Sequence, residues 1–290
     1  MSLSLHSKTL PKVLQDTIDR NIRTALEEDL GTGDLTALLI PSSREATATI
    51  ISREAAIICG LPWVERCFRL VAPDIGIVWH VQEGDAVSPN QTLCEISGNA
   101  RAILTVERCA LNFLQTLSGT ATMTRRYVDA IAGTGARILD TRKTLPGLRL
   151  AQKYAVSVGG GMNQRLGLYD GILIKENHIA AAGSIEAALQ AAQNIGYSVD
   201  NPVPVQIEVE TLQQLQSALD ARATLILLDN FSEQQLRDAV TLNANKAILE
   251  ASGGIDLGNV RKIALTGVDR ISVGGLTKNL HAVDLSLRFQ

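Results

Sequence analysis

Cysteine is scarce and scattered in this chain. The four present, Cys59, Cys67, Cys94 and Cys109, form no CxxC pair and no dense framework. That spacing excludes a structural zinc pattern and a disulfide scaffold, so reduced thiols in a cytoplasmic protein are expected. An excess of one charge is also missing: 27 Lys and Arg stand against 30 Asp and Glu, a formal net charge of -3. No global field therefore favours nucleic acid or an anionic membrane as partner, and any cationic site must be local. No apolar run is long enough to span a bilayer. The opening Met1-Ser2-Leu3-Ser4-Leu5-His6 lacks a charged region followed by a long apolar one, which argues against a secretory signal. Lysine is absent between Lys12 and Lys143. This matters because the stretch from Val81 to Val87, with Leu93 to Ile96, looks like half of a lipoyl or biotinyl carrier domain, and such a carrier requires a modifiable lysine on a nearby turn. The likeness is architectural only.

At 290 residues, 46% of them hydrophobic, the chain can form one large domain or two modest ones. Val13, Leu14, Ile18, Ile22 and Leu26 recur at helical spacing between about Pro11 and Glu28. From Ala46 to Leu104 short β-like runs alternate with turns around a helix near Pro62 to Leu70, so a sheet-containing first domain is expected. Helical spacing returns from Val106 to Ala132, with a break expected at Ser118-Gly119. Six short apolar runs then follow: Ala136 to Asp140, Gly171 to Lys175, Pro204 to Glu208, Leu225 to Asp229, Ala247 to Glu250 and Arg270 to Gly275. Separated by helical patterns, with Ser184 and Ser232 as N-caps, these read as parallel strands of a β/α repeat. Six runs fall short of eight, so the barrel is expected to be incomplete or irregular.

In such barrels the C-terminal strand ends face the active site. Thr141-Arg142-Lys143 follows the first strand and Lys175 closes the second. Between them lies Gly159-Gly160-Gly161-Met162-Asn163-Gln164-Arg165, where consecutive glycines mark a bend or a close approach. Taken singly, Arg142-Lys143 is equally a solvated charge pair. Together the clusters can hold a dicarboxylate or a polyphosphate by charge-assisted bonds. Glu208 and Asp229 end neighbouring strands and can hold Mg²⁺ directly or through water; each alone reads equally as a salt bridge to a rim cation. Glu210 alternates with Glu208. Ser252-Gly253-Gly254 and Gly274-Gly275 lie where late barrel strands make phosphate sites from backbone N–H groups. His178 can assist proton transfer or serve a structural hydrogen bond, while His6, His80 and His281 lie outside the pattern. A Schiff-base aldolase is the alternative, since Lys175 ends a strand as a nucleophilic lysine would.

The Asp-Thr-Arg-Lys-Thr, Gly-Gly-Gly-Met-Asn-Gln-Arg and Leu-Ile-Lys-Glu-Asn-His motifs between Leu139 and Ile179 resemble quinolinate phosphoribosyltransferases. The likeness continues through Glu28 to Thr36, Glu107-Arg108, Ile207 to Glu210, Leu228 to Asn230, Glu250 to Gly254 and Val273 to Gly275, in order along nearly the whole chain. It implies an α/β protein: an N-terminal α/β sandwich over residues 1–111, rejoined by 280–290, and an incomplete, TIM-like β/α barrel over 112–279. It implies transfer of phosphoribosyl from phosphoribosyl pyrophosphate to quinolinate, with loss of CO₂, in NAD biosynthesis. A sister enzyme acting on nicotinate would share the fold. Also implied are a homodimer with Arg108 contributed in trans, substrate contacts by Arg142, Lys143, Arg165 and Lys175, and a ribose and Mg²⁺-pyrophosphate region at Glu208 and Asp229. Thr141 and Gln164 belong to the same expected pocket, the glycine turns with Ser252 would hold the 5-phosphate, and Lys143, Lys175, Glu208 and Asp229 are the expected catalytic groups. Gln164 stands where many members carry histidine, so it can donate a hydrogen bond but cannot carry charge.

Overall fold

A computed structural model describes residues 10–198 and 203–290; His6 lies outside the described residues. The chain divides into two compact units. One comprises the described residues up to Arg125, Thr144–Gly160 and Leu276–Gln290, and the other Arg126–Lys143 and Gly161–Gly275.

The first unit opens with α1 (Lys12–Leu30), whose four-residue spacing buries Leu14, Ile18, Ile22 and Leu26 on one stripe. Val13, expected on that stripe, is half exposed instead. Gly31, at φ 48°, ends the helix, its N–H donating to Glu27 O. Strands β1 (Glu45–Ser52), β2 (Ala56–Ile57), β3 (Gly76–Trp79), β4 (Ala86–Val87) and β5 (Thr92–Asn99) follow, with α2 (Leu61–Val71) between β2 and β3. β1 pairs antiparallel with β5, β5 with β3, and β2 with β4. Buried Trp63, Phe68, Ile50, Leu93 and Ile96 build the core with α1 and with α3 (Ala100–Ala130).

That last helix corrects an expectation, because it runs unbroken through Ser118-Gly119. Ser118 is fully buried, and its hydroxyl accepts from Cys59 N at 3.0 Å and donates to Cys59 O at 3.2 Å. A Cβ at Gly119 would overlap the carbonyl oxygen of His281 and lie 3.1 Å from the carbonyl carbon. The pair marks a close backbone approach, which sequence spacing cannot distinguish from a helix break.

In the second unit the strands are β6 (Arg137–Leu139), β7 (Ile172–Ile174), β8 (Val205–Val209), β9 (Leu225–Asp229), β10 (Ile248–Ser252) and β11 (Arg270–Ser272). All pairings are parallel, in the order β6-β11-β10-β9-β8-β7. Each strand thus neighbours its successor in the chain except across β6 and β7, where the barrel is unlaced. Met162 lies along that seam: its N–H donates to Ile138 O at 2.8 Å, and it accepts from Asp140 N at 3.1 Å. The incomplete barrel is as expected. Helices α4 (Arg149–Val158), α5 (Glu176–Ala182), α6 (Ile185–Ser198), α7 (Leu212–Asp220), α8 (Glu233–Asn243), α9 (Val260–Ala264) and α10 (Gly275–Lys278) account for the remaining regular structure between Gly147 and Lys278. The Ser184 and Ser232 hydroxyls cap α6 and α8, accepting from Ala187 N and Gln235 N. The last strand, β12 (Leu285–Phe289), pairs antiparallel with β1 and belongs to the first unit.

Side chains alternate across each barrel strand. Ile207, Val209, Ile226, Leu228, Leu249, Ala251 and Ile271 are buried on one face. Gln206, Glu208, Leu227, Asp229, Glu250, Ser252, Arg270 and Ser272 take the other, in paired register: Glu208 with Leu227, Asp229 with Ser252, and Glu250 with Arg270. This inward face carries the chemistry.

Candidate active site

Asp140, directly after β6, is fully buried and accepts from Asn163 Nδ2 at 2.7 Å and from the Gln164 N–H at 2.9 Å. It pins the segment after the glycine run to the strand end, and so carries Gln164 and Arg165 toward Arg142. The Arg142 Nε is buried and has no hydrogen-bond partner. Burial, followed by the charge of Arg142, lowers the pKa of Arg165, with Asp170 acting the other way. Two guanidinium groups are therefore held close enough to repel, with Arg165 Nη1 donating to Gly171 O at 3.1 Å. An anion between them would relieve both the repulsion and the unmet donor.

Lys175 follows β7, and its Nζ donates to both carboxylate oxygens of Glu208, at 3.1 and 3.0 Å. The Glu208 side chain is 10% exposed and that of Lys175 44%. The expected alternative for Glu208, a salt bridge to a rim cation, is thus realised. The same pair weighs against the aldolase reading, since a lysine whose Nζ is engaged by both oxygens of one carboxylate is not placed to attack a carbonyl. Asp229 faces the same space, one oxygen accepting from Asn230 Nδ2 at 2.8 Å.

A cavity of about 270 Å³ brings nine expected site residues together: Thr141, Arg142, Lys143, Gln164, Arg165, Lys175, Glu208, Asp229 and Ser252. Leu173, Leu227 and Ser272 complete its wall. At its edge Gly253 has φ 97° and Gly254 φ 59°, and a Cβ at Gly253 would lie 2.7 Å from Asn230 Cγ and 2.9 Å from its backbone nitrogen. Glycine is required there on both counts. Gly274 lies beneath the Lys143 stem, its would-be Cβ 3.2 Å from Lys143 Cδ, and Gly275 opens α10. Arg108 is exposed on α3, in the first unit.

Other expectations resolve into structural roles. The His178 Nδ1 accepts from the Lys175 N–H at 3.0 Å and caps α5. Glu210 is exposed beyond β8, its N–H donating to Gln214 Oε1 at 2.7 Å. Sequence reasoning missed Asp140, Gln206 and Glu250 as members of the site. The available signal was period two: Gln206 shares a strand face with Glu208, and Glu250 with Ser252. Among the described residues no group of three or more His, Cys, Asp or Glu side chains could hold a metal, and no helix is long and apolar enough to cross a membrane.

An unlaced β/α barrel with cations, two carboxylates and a glycine turn at its C-terminal strand ends defines an enzyme scaffold for a phosphorylated polyanion. Comparison with known proteins narrows the class. A family model for the quinolinate phosphoribosyl transferase C-terminal domain matches residues 120–288, and one for the N-terminal domain matches residues 34–118. The chain belongs to that family and is a phosphoribosyltransferase. It is 41% identical over 261 residues to a Bacillus subtilis (strain 168) protein named probable nicotinate-nucleotide pyrophosphorylase (carboxylating), covering 90% of this chain and 89% of that one. A Mycobacterium leprae protein named nicotinate-nucleotide pyrophosphorylase (carboxylating) is 41% identical, covering 94% of this chain and 97% of that one. The solved structure of the nicotinate-nucleotide pyrophosphorylase from Francisella tularensis superposes with a TM-score of 0.92 at 44% identity, over 97% of this chain and 98% of that one.

Proposed function

We propose that this pocket transfers the phosphoribosyl group of phosphoribosyl pyrophosphate to the ring nitrogen of quinolinate, with loss of CO₂, giving nicotinate mononucleotide and pyrophosphate for NAD biosynthesis. The observation that carries the reading is the convergence of Arg142 and Arg165 on one cavity, with the Arg142 Nε buried and unpaired. Both substrates are polyanions, so a neutral cavity would bind neither well. Arg142 and Arg165 hold the quinolinate carboxylates. Lys143, over Gly274, and Lys175, beside Glu208, neutralise the phosphates. Backbone N–H groups at Gly253, Gly254, Gly274 and Gly275, with the Ser252 hydroxyl, take the 5-phosphate.

As pyrophosphate departs, positive charge develops on the ribose, and Glu208 or Asp229 stabilises it from the inward strand face. The pyridine nitrogen attacks the anomeric carbon and becomes cationic. The C–C bond to the adjacent 2-carboxylate then breaks, its electron pair staying on the ring carbon beside the positive nitrogen, and a proton completes the product.

The donor set also fits Mg²⁺. Glu208 and Asp229 offer hard carboxylate oxygens but no full cage, which suits an ion held by one or two carboxylates and the substrate's phosphates. When bound, the ion neutralises charge on the leaving pyrophosphate. We further propose a homodimer in which Arg108 enters the partner's pocket; its exposure on α3 is consistent with that role. We assign the enzyme to the cytoplasm, which suits four free thiols.

Lys143→Ala and Arg165→Ala test the reading. Each is expected to lower kcat/KM by on the order of a hundredfold or more, the scale of losing a preorganised charge-assisted contact, with circular dichroism and Tm unchanged. Turnover like that of the unaltered enzyme would refute the assigned roles.

A further inference from the structure

Lys175 stands at a corner between two elements. It follows β7 directly and is the N-cap of α5, in extended conformation at φ -123° and ψ 171°. Lysine is a poor cap, because its side chain offers no acceptor to the first N–H groups of a helix. The corner is tied from the other direction. His178, at the third position of α5, accepts the Lys175 N–H at Nδ1, 3.0 Å away. The Lys175 carbonyl accepts in turn from His178 N at 2.8 Å and Ile179 N at 3.0 Å. One turn of helix thus holds both backbone polar groups of the lysine. Strands β7 and β8 pair Ile174 with Ile207, so the next residues, Lys175 and Glu208, meet through Nζ at the strand ends.

A backbone N–H only donates, so the His178 Nδ1 must present a lone pair, and in this arrangement the imidazole is neutral with its proton on Nε2. Glutamate or glutamine is the usual residue at this position of a capping box. A glutamine keeps its acceptor at every pH, whereas a histidine gives its acceptor up on protonation. An imidazolium would set one N–H against another, so the ring must turn away and the Lys175 N–H loses its partner. His178 is exposed, and solvent protons reach it. The charged groups of its own corner are Lys175 and the exposed Glu176. On α6, which packs against α5, the charged side chain is Glu186, held ionised by its own backbone N–H and the Ser184 hydroxyl. On β8 it is Glu208, which Lys175 Nζ engages.

We infer that His178 is a positioning residue for Lys175: in its neutral form it fixes the backbone from which the lysine reaches the phosphates of phosphoribosyl pyrophosphate, and protonation releases that hold. The inference deepens the pocket reading above and rests on it. It gives the helix cap a consequence for substrate binding, and it replaces direct proton transfer by His178 with an action through Lys175. The benefit is preorganisation, since the stem of the lysine is oriented before the substrate arrives.

Steady-state kinetics of the unaltered enzyme, His178→Gln and His178→Leu test it. Glutamine keeps an acceptor that does not titrate, and leucine removes the acceptor. At about pH 8, where an ordinary histidine is neutral, His178→Gln is expected to match the unaltered enzyme. His178→Leu is expected to raise KM for phosphoribosyl pyrophosphate on the order of fivefold, the scale of one net hydrogen bond, with KM for quinolinate unchanged. On lowering the pH to about 6, KM of the unaltered enzyme for phosphoribosyl pyrophosphate should climb toward that of His178→Leu, while His178→Gln stays low. Titration of the substrate's own phosphates affects all three alike and cancels in the comparison. A merely structural cap would lower Tm in His178→Leu and leave the KM values equal and the pH profiles parallel. Parallel profiles for the unaltered enzyme and His178→Gln, or an equal rise in both KM values for His178→Leu, would overturn the inference. Should His178→Leu not fold, the comparison with His178→Gln decides alone. Failure of the unaltered protein to bind phosphoribosyl pyrophosphate would remove the pocket reading together with this inference, whereas binding indifferent to His178 removes only the latter.

Discussion

Single side chains in this pocket are placed by neighbours that take no part in the chemistry. Asp140 bonds Asn163 and the Gln164 backbone, and the Asn230 side chain fills the space a Cβ would need at Gly253. The cations Arg142, Lys143, Arg165 and Lys175 were legible in the sequence because charge at strand ends is conspicuous in an apolar pattern. Glu250 was not, because a carboxyl that closes a strand looks the same whether it meets solvent or a buried ring of amides. Gly253 offers a test at this scale. Gly253→Ala meets both a left-handed backbone, which costs a residue with a Cβ about 1–2 kcal/mol, and a collision with Asn230. It is expected to raise KM for phosphoribosyl pyrophosphate more than KM for quinolinate in steady-state kinetics. Equal effects on the two would place the phosphate elsewhere.

At the scale of elements, the barrel strands were legible because parallel strands buried on both faces read as short continuous apolar runs. Glu208, Asp229 and Ser252 were placed by their position at strand ends, and the period-two register that turns them into one cavity was left unused, which is why Gln206 and Glu250 were missed. The long α3 was read less well. Its Ser118-Gly119 pair looked like punctuation, but the cause is the His281 carbonyl, distant in sequence and invisible to a local window. Gly119→Val should therefore destabilise the protein through backbone overlap, by about 1–3 kcal/mol as for other overpacked sites, read as a lower denaturant midpoint with an unchanged slope. A midpoint equal to that of the unaltered protein would contradict the close approach.

For the whole molecule, the topology was legible as six strands and an unlaced barrel, and the strand order β6-β11-β10-β9-β8-β7 bears that out. Assembly was not legible from periodicity or spacing, since Arg108 is by those criteria an ordinary charged residue of a helix. The proposed trans arrangement makes a prediction at this scale. Arg108→Ala and Asp229→Ala should each be nearly inactive, yet mixing equal amounts after subunit exchange should restore roughly a quarter of full activity, because half the dimers then hold one intact site. No recovery would place Arg108 in its own subunit's chemistry or outside it.

The central claim is that one cationic pocket couples pyridine transfer to loss of the 2-carboxylate. It is tested most directly by supplying the purified protein with Mg²⁺, phosphoribosyl pyrophosphate and quinolinate labelled in the 2-carboxylate, and measuring labelled CO₂ and pyrophosphate together, with nicotinate as the control acceptor. The account predicts that the two products appear in equal amounts with quinolinate, and that nicotinate releases no pyrophosphate. Pyrophosphate released with nicotinate, or with quinolinate but without labelled CO₂, would contradict it.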